Sequence, residues 1–150
     1  MTKPILDQIN LVSADLDASV AFYRRLGVDI PDAAVWRTAS GGHHANAVGQ
    51  AGKHGIHLDL DSTAFAQCWN GGWKGRTDLR GRVVVGFRVA ERGDVDNLFR
   101  DMIAAGYRGL HEPCDGFWGA RYAIIEDPDG VAVCVMSPIE PDKKSPPPDV

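Results

Sequence analysis

From residue 5 to residue 12 the chain alternates. Ile5, Asp7, Ile9 and Leu11 stand against Leu6, Gln8, Asn10 and Val12, the two-residue period of a strand with one face more apolar than the other. Asp15 follows as a helix N-cap. Leu16, Val20, Tyr23 and Leu26 then recur at helical spacing, Arg24 and Arg25 lie where they complement the dipole, and Gly27 sits where a left-handed C′ residue belongs. Short runs at 34–38, 43–48 and 55–61, separated by Ser40-Gly41-Gly42 and by glycines between 49 and 52, predict three further strands joined by hairpins.

The order then repeats. Residues 82–89, rich in valine, predict a strand; Asp94 is the expected N-cap of a helix carrying Val95, Leu98, Phe99 and Met102 and closed by Gly106. Strands are expected at 107–111, 120–126 and 131–136, the last two joined by the turn Asp127-Pro128-Asp129-Gly130. The expected fold class is therefore α+β: two β-α-β-β-β modules, about 5–61 and 82–138, forming a curved, cup-like mixed sheet with helices outside. A connector, 62–81, opens on a short helix and contains Cys68-Trp69-Asn70-Gly71-Gly72-Trp73. One domain, 1–138, is expected, followed by a disordered, proline-rich tail over 139–150.

Composition narrows the function classes. The 150 residues are 44% hydrophobic and 24% charged, which suits a packed core without disulfide or metal staples. A net charge of −4 argues against a nucleic-acid footprint, so neither DNA nor RNA is an expected partner. Cys68, Cys114 and Cys134 are odd in number and widely spaced, with no C-x-x-C pair, and no apolar run approaches the length of a membrane span. A cytoplasmic location is expected, with no membrane partner.

Two motifs inside the duplicated pattern carry a resemblance. Asp7-Gln8-Ile9-Asn10-Leu11-Val12 through Asp15-Leu16-Asp17-Ala18-Ser19, Phe22-Tyr23 and Leu26-Gly27 is one; Phe117-Trp118-Gly119-Ala120-Arg121-Tyr122 with Glu126-Asp127-Pro128-Asp129-Gly130 is the other. Together they make residues 5–138 similar to the vicinal oxygen chelate superfamily of glyoxalase, bleomycin-resistance and extradiol-dioxygenase proteins. The resemblance implies a cup from each half and a cavity, in which metal-dependent members hold a divalent ion through His or Glu. Those positions fall here on Gln8, near Asp59, near Val84 and on Cys134. A valine offers no lone pair and a thiol is mismatched to the usual donors, so no metal and no cofactor are expected.

Several side chains remain as candidates for holding a ligand. His57 and Asp59, two apart, share a strand face and form either an imidazole–carboxylate pair or a polar, solvent-facing stripe. His43 and His44 are neighbours and would point to opposite faces of a regular strand. Trp69 and Trp73 suit a wall or lid for a flat ligand, or else cover the core or a dimer contact. Trp118 stands before the penultimate strand, and Trp36 could face either side of its own. Arg88 follows Val84 and Gly86 at period two, toward the face that the resemblance turns to the cavity; it could bind a carboxylate or pair with a strand carboxylate. Arg121 could likewise bind a carboxylate or else be a surface residue, and Cys134 is expected to be an unreactive thiol in an apolar strand.

The leading expectation is a metal-independent protein binding a small aromatic or polycyclic compound, sequestering it as bleomycin-resistance-like relatives do, and working as a homodimer. The alternative is a metal-dependent lyase, isomerase or dioxygenase with a rearranged ligand set drawn from His57, Asp59 and one of His43 or His44. A third is an interaction module with no small ligand. Catalytic residues are not assignable from the sequence.

Overall fold

A computed structural model describes residues 8–48, 55–69 and 83–146, apart from the side chains of Gln8 and Trp69. The chain divides into two compact units, Met1–Thr77 and Asp78–Val150. Each unit holds a four-stranded mixed sheet in the predicted order of elements.

In the first unit β1 (Gln8–Ser13), α1 (Leu16–Arg25), β2 (Val35–Thr38), β3 (Gly41–Asn46), β4 (His57–Ser62) and α2 (Thr63–Trp69) follow one another. The sheet order is β1-β4-β3-β2, with β1 parallel to β4 and the other pairs antiparallel. The Asp15 carboxylate accepts from Ala18 N at 3.0 Å and caps α1. Gly27, at φ 101°, ends it: Gly27 N donates to Arg24 O and Val28 N to Tyr23 O, at 3.0 and 2.9 Å. Leu16, Val20 and Tyr23 of α1 are buried with Ala45, Leu58 and Leu60 of the sheet. Each such large side chain stabilises by about 1.5–3 kcal/mol.

The second unit repeats this with β5 (Val84–Arg88), α3 (Arg92–Ala104), β6 (Arg108–Asp115), β7 (Arg121–Glu126) and β8 (Ala132–Met136), in the order β5-β8-β7-β6. β5 runs parallel to β8. Val95 and Met102 of α3 are buried, as are Ala123, Ile125, Val133 and Val135 of the sheet. Gly106 closes α3 as Gly27 closes α1, with Tyr107 N donating to Met102 O at 3.1 Å. The helix begins three residues earlier than the sequence predicts. Glu91 is the N-cap, and Asp94 is the third helical residue, whose carboxylate reaches back to Glu91 N at 3.0 Å.

The β7–β8 turn forms as expected, with Asp127 Oδ1 accepting from Asp129 N and Val131 N at 2.9 and 2.8 Å. The tail differs from the expectation of disorder from residue 139. As far as Ser145 it is tied to the second unit: Glu140 N donates to Gly119 O at 3.0 Å and Ser145 N to Phe117 O at 2.9 Å, with a single 3-10 turn at Pro141–Lys143. Backbone partners and the Arg92–Glu140 ion pair at 3.2 Å, rather than apolar burial, hold this segment, so its composition gave no sign of it. None of the described helices is long and apolar enough to cross a membrane.

Candidate functional site

In each unit the pleat sends one set of side chains to the helix and the other set to the opposite face. In the first unit that opposite face is polar. His44 lies across from Asp61, and Asn46 across from Asp59, which is also the partner of Asn10. Asp61 is fully buried, with its two oxygens occupied: Oδ1 lies 2.5 Å from His44 Nδ1, and Oδ2 accepts from Asn10 Nδ2 at 2.8 Å. Asn46 Nδ2 lies 2.9 Å from His44 Nε2 and donates to Asp59 Oδ1 at 2.8 Å. Because Asp59 fixes which end of the Asn46 amide faces the pair, His44 Nε2 accepts and His44 Nδ1 carries the proton toward Asp61.

The imidazole that meets a strand carboxylate is thus His44, with Asp61; His57 is exposed at the start of β4, and Asp59 is held by Asn46. The expectation that His43 and His44 point to opposite faces is overturned. Pairing steps from Trp36↔His44 to Arg37↔Gly42, so His43 is an extra residue in β3, and such a bulge breaks the alternation. His43 packs on Trp36 at 4.8 Å between ring centroids, Trp36 on Phe65 of α2 at 5.3 Å, and Phe65 on His44 at 5.6 Å. Trp36 remains 50% exposed.

In the second unit the face opposite α3 is apolar at Ile124, Cys134 and Met136, with Arg88 in one row and the Arg108–Glu126 ion pair in another. Register places Gly86, Cys134 and Ile124 in one row and Arg88, Met136 and Tyr122 in the next. Arg88 is exposed and has no hydrogen-bond or ion-pair partner among the described residues. Tyr122 packs on Trp118 at 4.8 Å and on His111 at 5.1 Å, and Phe117 stands edge-on to Trp118 at 5.1 Å. Hydrogen bonding with Cys114, together with burial, raises the Tyr122 phenol above its ordinary pKa, so it is a donor near neutrality. Burial likewise pushes the Cys134 thiol up. The indole N–H of Trp118 is buried without a partner, the only such side-chain atom among the described residues.

Arg121 is placed differently from Arg88. It points to the helix face, where Nε and Nη2 meet the Asp96 carboxylate of α3 at 2.5 and 2.6 Å and Nη1 meets Asp115 at 3.0 Å. Its guanidinium holds Asp96 and Asp115 below the ordinary carboxylate pKa, and they raise its own. Gln8 enters β1 opposite His57, but its side chain, that of Trp69, and all of Trp73 lie outside the described residues.

Residues 5–135 match the family model for the Glyoxalase/Bleomycin resistance protein/Dioxygenase superfamily. The chain belongs to that superfamily. Among curated proteins none matches it. Among solved structures, a glyoxalase/bleomycin resistance protein/dioxygenase from Nocardioides is 23% identical with a TM-score of 0.65, over 99% of this chain and 92% of that one. A glyoxalase-related enzyme from Fulvimarina pelagi is 21% identical with a TM-score of 0.69, covering 93% and 95%. Lactoylglutathione lyase from Agrobacterium tumefaciens is 20% identical with a TM-score of 0.62, covering 91% and 95%. At such identities the likeness extends to the fold alone.

Metal-dependent superfamily members would need donors at the inherited positions, and the side chains here do not fit. Asp59 is engaged by Asn46, Val84 ends in carbon, and Cys134 carries a thiol that burial keeps protonated beside Gly86 and Ile124. Among the described residues no group of three His, Cys, Asp or Glu side chains is set to hold an ion.

Proposed function

We propose that this superfamily member is a metal-independent binder of a small planar aromatic acid, which it sequesters on the open face of the second sheet. The observation that carries this reading is the row Arg88, Met136, Tyr122. Three strands at about 4.8 Å spacing give a floor about 10 Å long, the length of a two-ring aromatic. A guanidinium with no partner among the described residues stands at one end to hold a carboxylate, Met136 supplies a pliable apolar base, and Tyr122 with Trp118 supplies aromatic edges. A homodimer in the cytoplasm belongs to the same reading; the free thiols of Cys68, Cys114 and Cys134 are consistent with a reducing compartment.

Titration with 2-naphthoate, followed by tryptophan fluorescence, tests it. Binding is expected to survive exhaustive chelation, and Arg88→Gln is expected to weaken it by about 10- to 100-fold, the value of about 1.5–3 kcal/mol for a charge-assisted contact. Binding that chelator abolishes and a divalent ion restores, or that ignores Arg88→Gln, refutes the proposal.

A further inference from the structure

We propose that Phe117 and Trp118 form an aromatic flap beside Tyr122, held closed by the segment 139–145 with Arg92 as its latch. The flap regulates the face of the second sheet proposed to hold an aromatic acid, and it rests on that reading only where a ligand is concerned.

The grip of the segment on the loop carries the argument. Phe117 O accepts from Ser145 N at 2.9 Å and Gly119 O from Glu140 N at 3.0 Å, while Gly119 N donates to Gly116 O at 2.9 Å. The peptide planes on both sides of Trp118 are thereby held, and with them the direction of the indole. The ring lies against Gly116, where an added Cβ would stand 2.5 Å from Trp118 Cε2, and it packs on Tyr122 at 4.8 Å. Arg92, the first residue of α3, ties the same pieces together. Its Nη1 donates to Gly119 O at 3.3 Å and to Glu140 Oε1 at 3.2 Å, and its Nη2 meets Asp115 Oδ1 at 2.6 Å. Lys143 also pairs with Glu140.

Two observations make the closed flap one of two states. It carries a cost, since the Trp118 indole N–H is buried with no partner among the described residues and opening returns it to water. The contacts that offset this cost are polar: Ile139 is 49% exposed, and Pro141 and Pro146 are exposed as well. A segment held without buried apolar groups leaves by local opening, far below the cost of global unfolding. Peeling stops at Ser137, which is buried and bonded to Arg121 in both directions, N to Arg121 O at 2.9 Å and Oγ from Arg121 N at 3.0 Å. Beyond it β7 and β8 bury Ala123, Ile125, Val133 and Val135 and stay folded. With the segment gone, the loop turns at Gly116 and Gly119 and Trp118 leaves Tyr122. A merely structural tail adds stability; this one also decides where one indole stands.

Fluorine NMR of the full chain labelled with 5-fluorotryptophan reads the flap directly, with Trp118 assigned through Trp118→Phe. Glu140→Lys sets a cation beside Arg92 and Lys143. It is expected to move the Trp118 resonance toward its solvent-exposed position while the amides of β7 and β8 keep their protection. A Trp118 resonance that stays in place overturns the proposal, as does loss of protection throughout β7 and β8, the mark of a purely structural role. In the unmodified chain the amides of Glu140 and Ser145 are expected to exchange together and about 100-fold or more faster than those of β8; exchange as slow as in β8 overturns the local opening. Affinity for 2-naphthoate is expected to fall about 3- to 10-fold in Glu140→Lys, as the closed fraction falls. Equal affinity in wild type and variant overturns the regulation. Absence of 2-naphthoate binding by the wild type refutes the aromatic-acid reading alone, because the fluorine and exchange measurements contain no ligand.

Discussion

Gly119→Ala tests whether the tail after Pro138 is a working part of the second unit. Gly119 has φ 91°, and a Cβ built there would stand 2.4 Å from the backbone oxygen of Glu140 and 3.0 Å from Lys144 Cγ. The first effect is conformational: a left-handed backbone costs a residue with Cβ about 1–2 kcal/mol. The second is expulsion of the tail, because a backbone oxygen at that distance has no rotamer to escape into. Leaving breaks Glu140 N to Gly119 O and Ser145 N to Phe117 O, at 3.0 and 2.9 Å. Two such bonds are worth about 1–3 kcal/mol net. The total is a loss of about 2–5 kcal/mol.

Gly27→Ala is the control that separates the two effects. Its φ is 101°, yet nothing lies within 4 Å of the added methyl, so only the conformational cost of about 1–2 kcal/mol applies. Urea unfolding at constant m-value should therefore place Gly119→Ala about 1–3 kcal/mol below Gly27→Ala in the full chain. In a chain ending at Pro138 the obstructing oxygen is gone, and the two substitutions should cost the same. An equal loss from Gly119→Ala with and without the tail would refute the claim that the segment is docked. The consequence reaches the face proposed to hold the ligand, since the tail rests on the loop bearing Phe117 and Trp118.

Two further outcomes follow from the charged and thiol groups. Asp96 and Asp115 titrate below their ordinary value of 3.8 because Arg121 hydrogen-bonds both, so the stability they add is present above about pH 4 and lost as pH falls through their lower folded values. Urea midpoints from pH 7 down to pH 2.5 should show that acid-side slope in the wild type and a flatter one in Arg121→Gln; identical slopes would remove Arg121 as its cause. Among the three thiols, exposed Cys68 should react with a disulfide reagent first and Cys134 last, because burial holds Cys134 in the thiol form. Peptide mapping that finds Cys134 labelled ahead of Cys68 would contradict this.

The architecture was legible because it rests on local signals that tertiary contacts leave unchanged. Gly27 and Gly106 end their helices with the same pair of backbone bonds, and leucine alternating with aspartate in β4 reports which residues reach the helix, whereas β7 and β8 alternate in burial and not in sequence. The first site was less legible for a specific reason. Parity along β3 assigns His43 and His44 to opposite faces, and only the extra residue opposite Trp36 and Arg37 undoes that assignment. Asp59 attracted attention through His57, two residues away in sequence, whereas its partner is Asn46 on the neighbouring strand. Cross-strand partners depend on register, which the sequence does not print. Tyr122 and Met136 were missed as site residues for the same reason: they meet Arg88 only through pairing across β8.

The two modules also show where this fold keeps its freedom to change. On the helix face both obey one constraint, and corresponding strands bury Leu58 and Leu60 in one unit and Val133 and Val135 in the other. On the opposite face the constraint is absent and the chemistry has diverged. β3 and β4 present His44, Asn46, Asp59 and Asp61, while the matching β7 and β8 present Tyr122, Ile124, Cys134 and Met136. The first face spends its donors and acceptors on one another, whereas the second is mostly apolar and bears Arg88, which has no partner among the described residues. Substitutions on these faces should therefore leave either helix face unchanged, because the pleat keeps the two sets of side chains on separate sides of the sheet.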